Sequence, residues 1–234
     1  AGAQVFPSVR NRADADDLVR EFGDAVTPLL FDVAEETAVR AGASQVAAAL
    51  GKRKLFGLVN NAGIAVPGPL LHLTTQELER QFSVNVFGVH NVTRAFAPLL
   101  GADESRTGKP GRIVMISSVG GQNGMPFVGP YAASKFALEG YSQSLRRELM
   151  LYGIDVVIIG AGSIATPIWD KAEKNDLKRF GDTPYAPYLD GVAEYMLKQG
   201  REGLPAEDVG ELIWRVLSAE NPKVRYAILR NEFM

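Results

Sequence analysis

Six short apolar runs, AQVFPSV, VTPLLF, LFGLVN, RIVMIS, IDVVIIG and RYAIL, alternate along the chain with segments whose apolar residues fall at helical spacing. Strands that alternate with helices predict a parallel sheet covered by helices on both faces. After Thr74, the residues Leu78, Phe82, Val86, Val89, Val92 and Phe96 recur every three or four positions, as one buried helical stripe requires. Leu18, Val19 and Phe22 form a shorter stripe, and Val39, Val46 and Leu50 another. The polar, turn-rich stretch GADESRTGKPG (101–111) predicts a disordered loop between helix and strand. With 234 residues, 46% hydrophobic and 22% charged, the chain can bury one sizeable core. The expected fold is α/β: a single-domain doubly wound parallel sheet, Rossmann-like, over residues 1–234.

Composition removes several classes of function. The formal charge of -2 gives no basic footprint, so no nucleic-acid partner is expected. There are no cysteines, and the two histidines, His72 and His90, are too far apart to form a ligand cluster, so no metal is expected. The longest apolar run, around VVIIGAG, is far short of the roughly 20 residues that span a bilayer. No signal-peptide pattern opens the chain, and the expectation is a soluble cytoplasmic protein acting on a small molecule.

Four motifs occur in order. NNAG (60–63) ends one strand, SVNVFG (83–88) lies on the long helix, ISSVGG (116–121) ends another strand, and YAASK (131–135) opens a helix. Each sits at the C-terminal end of a strand or on a helix bordering it, where open parallel sheets bind ligands. A spacing of four puts Tyr131 and Lys135 on one helical face, and Pro130 suits a helix start. A lone Tyr-x-x-x-Lys pair arises by chance on many helices, Ser117 and Ser118 could simply end a strand, and Asn85 could be an exposed polar residue. The ordered set is far more specific than any one of its parts.

That set resembles the short-chain dehydrogenase/reductase family over almost the whole chain. The stretch SVGGQNGMPFVGPYAASKFALEG is similar to members acting on steroids, retinoids and other bulky alcohols or ketones. The resemblance implies hydride transfer between a nicotinamide cofactor and a carbonyl or secondary alcohol. It makes Tyr131 the acid/base, Lys135 the charge that lowers the tyrosine pKa, Ser118 the hydrogen-bonding partner of the substrate oxygen, and Asn85 the link from Lys135 to water. A free tyrosine, with a pKa near 10, needs such help at neutral pH.

The resemblance also implies the cofactor contacts. The position that is acidic in relatives using NAD falls at Val9 and is followed by Arg10, which suits a 2′-phosphate, so NADP(H) is expected rather than NAD(H). Asp32 and Val33 fall where the adenine is contacted. Asn61, Ala62 and Gly63 contribute backbone and side-chain contacts, with Asn60 an alternative to Asn61. Tyr131 and Lys135 hold the nicotinamide ribose. Gly162, Ile164 and Thr166 belong to the loop over the nicotinamide, where Ala161 replaces the family's usual proline. A homodimer or homotetramer assembled through the long helices is the implied assembly.

In the family the first strand, with its glycine-rich turn, lies at the centre of the sheet, and no such segment precedes AGAQVFPSVRN. Its loss would bare two strand edges. The expectation is therefore that about 20 to 30 residues, a strand, loop and helix, precede Ala1 in the natural protein. Residues 167–203 read as a substrate lid, mixing charges with Ile168, Trp169, Phe180, Tyr185, Tyr188, Leu189, Tyr195 and Met196. Met125 and Phe127 add apolar wall. The rival reading from another class is a non-catalytic cofactor-binding or regulatory protein on the same fold. An epimerase or dehydratase of the extended branch is disfavoured by the short chain after the last long strand.

Overall fold

The computed structural model describes residues 2–169 and 177–230. In chain order its principal elements are β1 (Ser8–Val9), α1 (Arg12–Phe22), β2 (Leu29–Leu30), α2 (Glu36–Leu50), β3 (Gly57–Asn60), α3 (Thr75–Phe82) and α4 (Val89–Ala97). There follow β4 (Arg112–Ser118), α5 (Gly129–Leu149), β5 (Asp155–Ala161), β6 (Ile164–Ala165), α6 (Ala186–Arg201), β7 (Leu204–Pro205), α7 (Ala206–Ser218) and β8 (Arg225–Ile228). Every strand pairing is parallel.

The layering follows from β4 and β5. Ile113, Met115, Val156 and Ile158 point to one face, where Leu100, Leu138 and Leu149 cover them. Val114, Ile116, Val157 and Ile159 point to the other, against Leu212 and Val216 of α7. Both strands are buried on both sides, which is why they read as continuous apolar runs and not as an alternation. Each fully buried side chain of this kind contributes about 1.5 to 3 kcal/mol. The central sheet has the order β3-β4-β5-β8, and β1-β2 form a separate pair with its own cluster of Leu29, Phe31, Val39 and Val46. Between the two sheets lies a cavity of about 1350 Å³, lined by Phe6, Ser8, Leu58, Asn60, Val92 and Trp214 among others.

Local chemistry sets the helix ends. Asn11 caps α1 by accepting from the Asp14 N–H, and Thr74 and Glu77 form a reciprocal capping box on α3. The single stripe expected after Thr74 is not one helix, because a π turn at Ser83–Gly88 interrupts it; a second, at Pro98–Ala102, ends it. A π turn accommodates one extra residue inside a continuous helix, and apolar spacings of three and four residues do not disclose it.

Two expectations need correction. The 101–111 segment is tied down: Arg106 donates to the carbonyls of Gly51 and Arg53 at 3.0 and 3.1 Å, and the Lys54 and Thr107 amides donate to Thr107 O and Lys52 O. Its polar groups are paired with backbone, which composition alone does not disclose. Within the expected lid at 167–203, α6 forms a helix of 16 residues. Gly191 and Gly200 had masked it, since glycine lowers helix propensity. Gly200 is required by packing, because a Cβ there would sit 2.1 Å from the Trp169 ring. The lid residues 170–176 lie outside the described residues.

Candidate active site

Strand β4 ends at Ser118, and α5 starts eleven residues later at Gly129, so the strand end and the helix start form two sides of one corner. Ser118 Oγ accepts a hydrogen bond from the Gly120 N–H at 3.0 Å, which leaves its own proton free to donate. The Ser118 side chain and the Tyr131 ring both border Gly120, where a Cβ would lie 3.4 Å from Ser118 Oγ and 3.2 Å from the ring. Ser117 points the other way, and its buried Oγ has no partner among the described residues. The two serines thus sit in different surroundings, Ser118 beside Tyr131 and Ser117 beneath Gly121.

Lys135 is buried at 6% exposure, and its Nζ donates to the Ile116 carbonyl at 2.7 Å. That Nζ lies 5.7 Å from the centroid of the Tyr131 ring. Burial lowers the lysine pKa to about 8, an effect partly offset by the negative charge of Glu139. Burial also raises the tyrosine pKa above its ordinary value, with Ser118 acting against it.

Asn85 is buried on the π turn between α3 and α4. Its Oδ1 accepts from the Ile64 N–H at 2.9 Å, and its Nδ2 donates to Ile64 O and Ser134 Oγ, each at 3.0 Å. The side chain therefore braces the loop that follows NNAG against α5, and its hydrogen bonds go to Ile64 and Ser134, not to Lys135. Gln81, one turn earlier and fully buried, does the same by donating to Ile64 O and accepting from the Val66 N–H, both at 2.8 Å. Gln81 was missed in the sequence, although its i, i+4 relation to Asn85 was visible.

The remaining predicted residues fall just beyond the C-terminal ends of strands, except Ile164, which opens β6. Asn61, Ala62 and Gly63 are exposed beyond β3, whereas Asn60 is buried and donates to Thr93 Oγ1 at 3.0 Å. Asp32 turns the chain after β2 by accepting from the Ala34 N–H, and Val33 packs on Gly88, where a Cβ would come within 2.6 Å. Arg10 is exposed just after β1. Gly162 donates to Ile228 O, Ile164 accepts from Trp169 Nε1 at 2.7 Å, and Thr166 O accepts from the Trp169 amide. Arg10 and Asp32 belong to the β1-β2 pair and are not joined to the catalytic corner by strand pairing.

Beside the corner, Phe127 holds a φ of 62°, the only positive value at a non-glycine residue among those described. Such strain persists where surrounding contacts enforce it. Here the Gly68 N–H donates to Phe127 O, and Tyr185 meets the rings of both Phe127 and His72 edge-on at 5.8 and 5.7 Å. The corner thus has an aromatic flank.

The donor set suits a nicotinamide dinucleotide. Tyr131 and Lys135 can hold ribose hydroxyls, and the exposed backbone at Asn61–Gly63 offers hydrogen bonds along the same strand ends. Gly120 keeps the floor open, since a Cβ there would lie 3.2 Å from the Tyr131 ring. The arrangement can hold a carbonyl oxygen between one hydroxyl that orients it and another that gives it a proton.

Comparison with known proteins agrees with this geometry. A family model described as short chain dehydrogenase matches residues 1–177. The chain is 36% identical to the NADPH-dependent 3-dehydrocapnine reductase of Ornithobacterium rhinotracheale, over 100% of this chain and 82% of that protein. It is 32% identical to the 3-ketodihydrosphingosine reductase of Bacteroides thetaiotaomicron, over 86% of this chain and 71% of that one. Among solved structures, a short-chain dehydrogenase from Streptomyces avermitilis superposes with a TM-score of 0.77 at 28% identity, covering 97% of this chain and 78% of that one.

Proposed function

The chain belongs to the short-chain dehydrogenase/reductase family and is an NAD(P)-dependent oxidoreductase, and from that premise we propose that it interconverts a ketone and a secondary alcohol on a bulky apolar substrate, with NADP(H) as its preferred cofactor. The observation that carries this reading is the convergence of Ser118, Tyr131 and Lys135 on one corner of the sheet.

When bound, the reduced cofactor supplies the hydride. The residues of the chain supply everything else. Ser118, already accepting from Gly120, turns its hydroxyl proton toward the substrate oxygen and fixes the position of the carbonyl. Tyr131 donates to the same oxygen and passes its proton there as negative charge develops. Lys135, carried on the next turn, stabilises the tyrosinate that remains. Asn85 braces Ile64, and the π turn on which it sits offers main-chain carbonyls that can order a water leading to Lys135.

Arg10 supports the cofactor preference, because a guanidinium at the end of β1 pairs with a 2′-phosphate where a carboxylate would repel it. The name of one relative, an NADPH-dependent reductase, points the same way. For the substrate, the aromatic flank of Phe127 and Tyr185 and the exposed Met125 and Ile168 supply apolar wall. The names 3-ketodihydrosphingosine reductase and retinol dehydrogenase, borne by relatives, accord with it. Assembly as a homodimer or homotetramer is part of the same reading, with Phe87 and Phe136 exposed on and beside the long helices; sedimentation at micromolar concentration tests it.

The cavity between β1 and β3 belongs to this reading too. Both flanking strands run parallel, and both present an edge to it. We propose that one further parallel strand, followed by a glycine-rich turn, occupies it in the cofactor-binding protein. Hydrogen exchange at Ser8–Val9 and Gly57–Asn60 tests this: protection of amides on both strands is expected, and rapid exchange along both facing edges would contradict it.

The test of the function is NADPH consumption with a panel of long-chain and ring ketones. Turnover that favours the apolar members is expected. Cofactor binding without turnover of any ketone, or of the matching alcohols with NADP+, would favour the non-catalytic reading.

A further inference from the structure

Glu139 lies four residues beyond Lys135 on α5, hence one turn along the same face, and is buried at 7% exposure. Arg225, from β8, grips its carboxylate: Nε donates to Oε1 and Oε2 at 3.3 and 3.2 Å, and Nη2 to Oε1 at 3.2 Å. The guanidinium reaches Glu139 across Gly160 of β5, where a Cβ would come within 2.3 Å of Nη2. Gly121, just past the catalytic serine, closes the other side, since a Cβ there would sit 3.1 Å from Glu139 Cγ and 2.8 Å from Ser117 Oγ. Two glycines and an arginine 86 residues away in sequence thus converge to hold one carboxylate a helical turn beyond Lys135.

A buried ion pair is a weak source of stability, because the desolvation of both charges offsets their attraction. Its location suggests a different use. The hydrogen bond from Lys135 to the Ile116 carbonyl supplies no negative charge. The ring of Tyr131 lies beside the lysine ammonium, Glu139 falls one turn further along the same helix, and Arg225 of β8, a like charge, is held against Glu139. Among these, Glu139 alone carries a formal negative charge at neutral pH. Arg225 directs its own charge at Glu139 through three N–H···O contacts.

We infer that Glu139, clamped by Arg225, is a positioning residue that keeps Lys135 in its ammonium form and so sustains the acid/base action of Tyr131. The inference rests on the proposed Tyr131–Lys135 couple. Burial alone drives Lys135 toward the neutral form, and attraction to Glu139 acts against it.

The test reads the lysine directly. With ¹³Cε-labelled lysine, and Lys135→Met to identify the resonance, NMR follows the titration of Lys135 without need of any substrate. A midpoint of about 8 is expected in the wild type, and one lower by about one unit or more in Glu139→Gln, since an opposite charge at this range shifts a pKa by roughly 1 to 3 units. The pH at which ketone reduction falls away should move by the same amount. Because Glu139→Gln leaves Arg225 buried and unpaired, the double variant Glu139→Gln/Arg225→Met is measured beside it, with a smaller downward shift expected because the like charge is removed as well. An unchanged midpoint in either folded variant would overturn the inference and leave the ion pair as a clamp between helix and sheet. Failure of the catalytic reading would show separately, as full activity in Tyr131→Phe.

Discussion

The ammonium of Lys135 lies 5.7 Å from the centre of the Tyr131 ring, and both side chains are carried by consecutive turns of α5. At that separation the positive charge acts on the tyrosine through a poorly solvated medium, where electrostatic effects exceed those in water. The pH dependence of the reaction follows. Lys135 is charged below about 8 and neutral above it.

Carbonyl reduction needs Tyr131 protonated and Lys135 charged. The rate of NADPH-dependent reduction, as kcat/KM, should be level below about pH 8 and fall as the pH rises through the lysine pKa. A profile measured from pH 6 to 10 checks this, and a flat one would mean that the charge on Lys135 is not needed.

Arg10 tests the cofactor preference. A charge-assisted contact to a 2′-phosphate contributes roughly 1.5 to 3 kcal/mol, so NADPH should bind about tenfold to a hundredfold more tightly than NADH. Arg10→Ala should remove most of that difference and leave NADH binding unchanged. Fluorescence titration of both reduced cofactors reads it, and equal affinities in the wild type would make Arg10 a surface charge only.

Asn85→Ala removes three hydrogen bonds, leaving the Ile64 N–H without its acceptor and the Ile64 carbonyl with Gln81 as its remaining donor. A loss of about 3 kcal/mol is expected, or roughly 6 to 12 °C in Tm. Thermal unfolding by circular dichroism measures it. A Tm within about a degree of wild type would show that the brace contributes little.

Gly200→Ala places a methyl group against the Trp169 ring, so either α6 or Trp169 must shift. If the 167–203 segment forms the substrate wall, KM for the ketone should rise severalfold with NADPH affinity unchanged. Equal KM values would place this packing outside the substrate site.

These residues show what local patterns can and cannot carry. Tyr131 and Lys135 were legible because a four-residue spacing fixes a shared helical face, and the heavily buried β4 and β5 were legible because burial on both sides gives unbroken apolar runs. The site's supports were not. Gln81 and Asn85 act on Ile64 across 17 and 21 residues, and Arg225 reaches Glu139 across 86. No local period records contacts at those separations. The helix α6 is obscured by its two glycines, of which Gly200 serves a tryptophan contact, and the ordered 101–111 loop by polar residues whose partners are backbone carbonyls.

The most direct test of the central claim is the turnover of Tyr131→Phe, measured with the best ketone substrate alongside NADPH titration of the same sample. The variant should bind NADPH nearly as wild type does and turn over about 10² to 10⁴ times more slowly, the loss typical of a missing general acid. Wild-type turnover by Tyr131→Phe would contradict the account.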